Sequence, residues 1–238
     1  MLDTEQNTML TVLDHGYVRL VNNMGSDIDV ANAARVSFNK EVSELSEKDR
    51  SLISFLVREK HDSCFRHCAM TFEIYAPLMV ARQAWKHVVS STSIDDQNGW
   101  NESSRRYITE KEEFYIPHVD QWRSTPENRK QGSGEAISEY YGAKYTQRMR
   151  RVVLDGVENY QQALADGVAP EQARLLLPAY AMYVRWRWTV SLNAILHFLS
   201  LRLAEGAQSE IVEYAHAVNE IVQQHYPITA KAWNEHRI

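Results

Sequence analysis

Residues 100 to 107 read WNESSRRY, placing a carboxamide, a carboxylate, two hydroxyls, two guanidiniums and a phenol in eight consecutive positions. That mixture suits a phosphorylated ligand. Arginine offers a bidentate fork to phosphate oxygens, serine adds neutral donors, and asparagine or glutamate can read the edge of a base or sugar. The same composition also describes a solvated turn carrying surface charge. No G-x-G-x-x-G or G-x-x-x-x-G-K-[ST] loop is present, so side chains must hold any phosphate.

A second cluster, His61, Cys64, His67 and Cys68, carries metal-ligand residue types. Structural zinc sites combine two separated ligand pairs, and the adjacent His67 and Cys68 cannot easily reach one tetrahedral ion. Neither cysteine sits in a nucleophile signature, although Arg66 could supply a cationic neighbour to a thiolate. Buried thiols beside structural or functional histidines are the favoured reading. Arg174 and Arg202 lie in apolar helical runs, where a guanidinium either reaches out to solvent or faces an anion in a pocket. Trp186 and Trp188 read as core residues rather than a stacking platform.

The elements that must position these groups follow from periodicity. MLTVLDHGYVRLV alternates and breaks at Gly16, as two short strands would. DIDVANAARVSF has helical spacing with Asp27 or Asp29 as cap, and Ser46 with Asp49 forms a capping box ahead of SLISFLVREK. AMTFEIYA has the period of a half-buried strand, and PLMVARQAWKHVV reads as a helix begun by Pro77. SSTSIDDQNGW has no periodicity and reads as a loop; EEFYIP reads as a strand. After a polar connection from about residue 121 to 134, a long helix is expected over 135–166. The remainder predicts a helix at PEQARLLL, a strand at YAMYVRWRWTV with Arg185 and Arg187 on one face, and helices at LNAILHFLSLRLA and SEIVEYAHAVNEIVQQH. The expected fold is α+β: one domain over 1–238 with long helices on a small, mostly antiparallel sheet.

Composition narrows the function classes. The 238 residues are 44% apolar, enough for a substantial core, and the formal charge is -5, so nothing global attracts nucleic acid or an anionic membrane. Two cysteines argue against a secreted disulfide framework. The first residues lack a cationic start followed by an apolar block, and TVSLNAILHFLSLRLAEG is too short and too arginine-punctuated to span a bilayer. A soluble cytoplasmic protein is expected.

In order, the runs VLDHGYVRLVNNMGSD, AARVSF, HDSCFRH, VARQAWKH, NESSRRY, FYIP, ARLLLP and FLSLRLAEGAQSEI resemble the flavin-dependent thymidylate synthases over nearly the whole chain. The family signature is R-H-R, a seven-residue spacer and Ser, within the longer pattern N-E-x-S-x-R-Y. Asn101, Glu102, Ser104, Arg106 and Tyr107 fit the second half. The first half departs: Lys86, His87 and Val88 replace Arg-His-Arg, and fifteen residues, 89 to 103, separate Val88 from Ser104. Lysine keeps the charge without the fork, and valine keeps neither. Arg66, where the family is usually acidic, is a candidate substitute.

The resemblance implies FAD-dependent reductive C5-methylation of a uridine monophosphate, with 5,10-methylenetetrahydrofolate as carbon donor and NADPH as reductant, in a homotetramer with shared active sites. Under it, Ser63, Lys86, His87, Val88, Asn101, Glu102, Ser191, Asn193 and His197 line the flavin site. Gln83, Lys86, Glu102, Ser103, Ser104, Arg105, Arg106 and Arg174 hold the nucleotide. Arg202 faces the pyrimidine edge and favours the N3-deprotonated ring. No metal is expected. Because the departures cluster beside the nucleotide motif, acceptance of UMP as well as dUMP is expected, as in relatives that methylate uridylate in nucleoside-antibiotic pathways. A degenerate flavin- or nucleotide-binding homologue, or a regulatory protein using Arg105, Arg106, Arg185 and Arg187 on RNA, is the competing reading.

Overall fold

A computed structural model of the protein describes residues 8–87, 100–102, 112–127 and 132–236. Five strands, β1 Met9–Val12, β2 Gly16–Met24, β3 Ala69–Pro77, β4 Trp100–Glu102 and β5 Tyr183–Ser191, form one antiparallel sheet in the order β1-β2-β3-β5-β4. The helices are α1 Asp27–Arg35, α2 Glu47–Arg58, α3 Leu78–Ala84, α4 Glu139–Ala165, α5 Pro170–Ala173, α6 Leu192–Arg202, α7 Ser209–His225 and α8 Pro227–His236. The expected α+β architecture is the observed one.

Alternation in β3 and β5 sets the two faces of the sheet. Phe72 and Ile74 pair in register with Trp188 and Trp186, and all four are buried beneath α6 and α7. The opposite face carries Glu73, Arg185 and Arg187, with Arg187 exposed. Helix α6 is apolar along most of its surface, burying Leu192, Ala194, Ile195, Leu196, Phe198 and Leu199, so its polar residues are held on a rigid, centrally packed element. At Gly16 an added Cβ would collide with the Tyr214 hydroxyl, so the β1–β2 turn requires glycine there.

Several local expectations change. Ser26, not Asp27 or Asp29, occupies the N-cap of α1. Asp27 is buried instead, where it accepts hydrogen bonds from the Ile228 and Thr229 backbone N–H at 2.8 and 3.0 Å and from the Thr229 hydroxyl at 2.6 Å. It thus satisfies donors at the start of α8, a helix that periodicity did not flag. EEFYIP is not a strand: it makes one isolated bridge, Phe114 to Met182, before Pro117, which has no N–H to continue a ladder. PEQARLLL divides into α5 and a 3₁₀ turn, Arg174–Leu176. The long helix begins at Glu139 rather than 135, and α3 ends at Ala84. The Ser46–Asp49 capping box forms as expected, with Asp49 buried and also paired to Arg35.

Helix α4 packs through a narrow stripe. Met149, Val153, Val157 and Tyr160 meet Phe114, Leu177 and Ala181, while Tyr140, Tyr141, Val152 and Leu154 remain exposed. Leu175, Leu176 and Tyr180 add further exposed apolar groups on the segment that follows. Among the described residues no helix is long and apolar enough to cross a membrane.

Candidate functional site

The end of α3 and the exposed side of α6 meet at one corner. The chain leaves α3 through a tight turn in which the His87 N–H donates to the Ala84 carbonyl at 3.0 Å. That turn directs the His87 ring inward, edge-on to Phe198 with centroids 5.0 Å apart and 6.2 Å from the ring of His197. Arg202, in the last turn of α6, donates from Nε to His87 Nε2 at 2.9 Å. Burial pushes the His87 pKa down to about 4, and the charges of Arg202 and His197 act in the same direction. The ring is therefore neutral at pH 7.

Arg202 is only partly buried, and among the described residues it makes no ion pair. Burial lowers its pKa too, although a guanidinium stays charged. A partly desolvated cation without a carboxylate costs free energy that an anionic or electron-rich ligand would offset. His87, His197 and Arg202 are thus three predicted site residues that the fold brings together. Asn193 lies one helical turn before His197 on α6, and the 3₁₀ turn Asp62–His67, which carries Ser63, packs against α6. Strand β4 lies beside β5 and sets Asn101 opposite Arg187 and Glu102 opposite Trp186.

Other predicted residues stand differently. Ser191 is buried, and its hydroxyl accepts the Ala194 N–H at 3.3 Å, capping α6. Lys86 is exposed. Gln83 donates to the Gln208 side chain and, at 3.3 Å, to the Met79 carbonyl. Arg174 is exposed on a 3₁₀ turn that packs against α4, not on the elements that carry His87 and Arg202. Arg66 is exposed on the same 3₁₀ turn as Ser63. Val88, residues 89–99, Ser103, Ser104, Arg105, Arg106 and Tyr107 lie outside the described residues, and Trp100, the last residue of the loop expected over 89–100, instead begins β4. Cys64 and Cys68 are buried free thiols, and burial raises the Cys68 pKa to about 11, so this thiol is not a nucleophile at neutral pH. Among the described residues no group of three or more His, Cys, Asp or Glu is placed to hold a metal.

Two features had no sequence signal. A cavity of about 530 Å³ lies between α3, α4 and the 115–123 segment, lined by Met79, Tyr115, Trp122, Tyr180 and Gln208 among others. Gln83 reaches its rim through Gln208. On the outer face of the sheet, Glu73 accepts from Tyr17 at 2.9 Å and pairs with Arg19 at 2.9 Å and Arg187 at 3.7 Å. Burial alone would raise its pKa, but the hydrogen bonds from Arg19 and Tyr17 hold it below the usual carboxylate range.

The described residues thus combine an α+β fold, a cationic corner backed by a neutral histidine, and an Asn101–Glu102 segment paired to β5. The family model described as Thy1, thymidylate synthase complementing protein, matches residues 19–228. A flavin-dependent thymidylate synthase of Thermotoga neapolitana is 37% identical over 224 residues, 94% of this chain and 93% of that protein. That of Thermus thermophilus is 38% identical over 227 residues, 95% of this chain and 78% of the relative. Among solved structures, the UMP/dUMP methylase PolB of Streptomyces cacaoi, bound with 5-Br dUMP, superposes with a TM-score of 0.80 at 28% identity, covering 96% of this chain and 98% of PolB. The same enzyme bound with 5-Br UMP gives 0.79. The chain belongs to the flavin-dependent thymidylate synthase family, and it is a methyltransferase.

Proposed function

We propose that this protein methylates C5 of a uridine monophosphate, using FAD, with 5,10-methylenetetrahydrofolate as carbon donor and NADPH as reductant, and that it accepts both UMP and dUMP. The observation that carries the reading is Arg202: a partly buried guanidinium with a neutral histidine behind it and no carboxylate partner among the described residues. Such a group fits the electron-rich edge of a uracil ring better than a structural ion pair. When bound, FAD supplies the hydride, taken from NADPH, that completes the methyl group.

The residues of the chain have definable tasks. Arg202 stabilises the ring as negative charge develops on it, which favours loss of the N3 proton and makes C5 more nucleophilic. His87, Asn193 and His197, with Ser63 on the adjoining turn, form the side against which the flavin lies. Ser191 contributes by capping α6 and so holding Asn193 in place. Arg174 and the Ser103–Arg106 run are the phosphate and sugar ligands.

Assembly as a homotetramer in the cytoplasm belongs to the same proposal. The exposed apolar groups of α4 and of Leu175, Leu176 and Tyr180 form the kind of surface that subunit contacts cover. A partner subunit would also bring cover to Arg174, which one chain alone leaves exposed. Turnover of UMP and dUMP on the purified, FAD-loaded protein tests the reading. Methylation of both nucleotides is expected; methylation of dUMP alone contradicts the relaxed sugar preference, and flavin uptake without methylation of either contradicts the activity.

A further inference from the structure

His87 is held from two directions. Its ring lies edge-on to Phe198, centroids 5.0 Å apart, and Phe198 packs in turn on Trp188 at 5.4 Å. Trp188 packs on Phe72 at 5.9 Å, so an unbroken series of rings runs from the middle of the sheet to the corner. The Nε2 edge of the imidazole meets Arg202. A guanidinium can only donate, so the 2.9 Å contact from Arg202 Nε requires an unprotonated His87 Nε2 and places the ring proton on Nδ1.

The consequence falls on the arginine. A guanidinium is planar, and binding its Nε–H to a fixed acceptor fixes that plane while leaving both terminal amino groups for other partners. A lysine held in the same place would gain no such orientation. We propose that His87 is a positioning residue: it accepts the Arg202 Nε–H and so orients the two terminal amino groups of Arg202 for paired hydrogen bonds to one planar, electron-rich ligand edge. This rests on the reading of Arg202 as the residue that faces the pyrimidine. It gives His87 a role carried through Arg202 and separate from flavin contact. In a chain where Lys86 and Val88 have lost both forks of the motif, Arg202 is the guanidinium His87 retains.

A double-mutant cycle on the FAD-loaded protein separates the possibilities. His87→Phe keeps a ring against Phe198 but removes the acceptor; His87→Gln keeps an acceptor. Each is measured alone and together with Arg202→Ala, reading FAD retained by its absorbance near ~450 nm, dUMP affinity by calorimetry, and kcat and KM for dUMP methylation. His87→Phe is expected to lower kcat/KM for dUMP about 10- to 100-fold with FAD retained. His87→Gln should recover most of that loss, and in the Arg202→Ala background the two His87 variants should differ by no more than about twofold. Equal losses in both backgrounds, or loss of FAD with dUMP affinity unchanged, would overturn the positioning role while leaving Arg202 in the site. An Arg202→Ala protein with wild-type dUMP affinity and turnover would overturn the parent reading and this inference with it. If His87→Phe does not fold, His87→Asn, whose acceptor has shorter reach, takes its place against His87→Gln, with the same outcomes deciding.

Discussion

Replacing Arg202 by alanine separates a ligand-facing guanidinium from a structural one. The folded protein loses one charge-assisted hydrogen bond, to His87, and leaves that ring's Nε2 without its donor, a cost of about 1.5–3 kcal/mol. It also loses the unfavourable partial burial of a cation that has no carboxylate partner among the described residues, which offsets part of that cost. Stability should therefore change by less than about 3 kcal/mol. Ligand interactions follow a different scale. Two charge-assisted hydrogen bonds contribute about 1.5–3 kcal/mol each, and every ~1.4 kcal/mol is tenfold, so kcat/KM for the nucleotide should fall by about 10² to 10⁴. The assay pairs urea unfolding and size-exclusion chromatography with steady-state methylation of dUMP. A loss of more than about 3 kcal/mol in stability would show that Arg202 is a packing residue. Methylation within about fivefold of the parent would remove it from the site.

Three further outcomes are expected. The folded-state pKa of His87, about 4, lies below the ordinary 6.5. Unfolded chains therefore bind more protons between those values, and this part of the stability, about 2 kcal/mol after allowing for solvent near the ring, is present above pH 6.5 and lost as pH falls toward 4. Urea midpoints of His87→Gln should show a shallower decline over that window than the parent, and parallel curves would contradict the buried neutral ring. Arg174→Ala should weaken dUMP binding by about 2 to 5 kcal/mol in calorimetry if assembly buries that charge against the phosphate, whereas a change below about 1 kcal/mol would leave it an ordinary surface arginine. Leu175→Glu, on a side chain that is 82% exposed, should leave the secondary structure intact while shifting light-scattering mass from tetramer toward smaller species; an unchanged mass would place the subunit contacts elsewhere.

What the sequence disclosed depended on the range of the interactions. The Ser46–Asp49 box and the alternation of β3 and β5 are encoded within a few residues and took their expected form, while Pro77, expected as the first helical residue, ends β3 and caps α3 at Leu78. Asp27 looked like a helix cap because its local context is one, but its partners, Ile228 and Thr229, are about two hundred positions away. The family motif marks Ser191 as a flavin-site residue, but not that its hydroxyl also accepts the Ala194 N–H and starts α6. Likewise the motif placed His87 and Arg202 in one site without saying that they touch, since nothing in the spacing of residues 115 positions apart encodes a hydrogen bond. The 530 Å³ cavity had no motif at all, being assembled from side chains of several separate segments.

The most direct test supplies the FAD-loaded protein with NADPH, 5,10-methylenetetrahydrofolate and either UMP or dUMP, and reads the nucleotide by mass spectrometry. A gain of one CH₂ on the uracil of both nucleotides is expected, dependent on the flavin and on NADPH. Unmodified nucleotide from flavin-loaded protein, under conditions where the Thermotoga neapolitana relative is active, would contradict it.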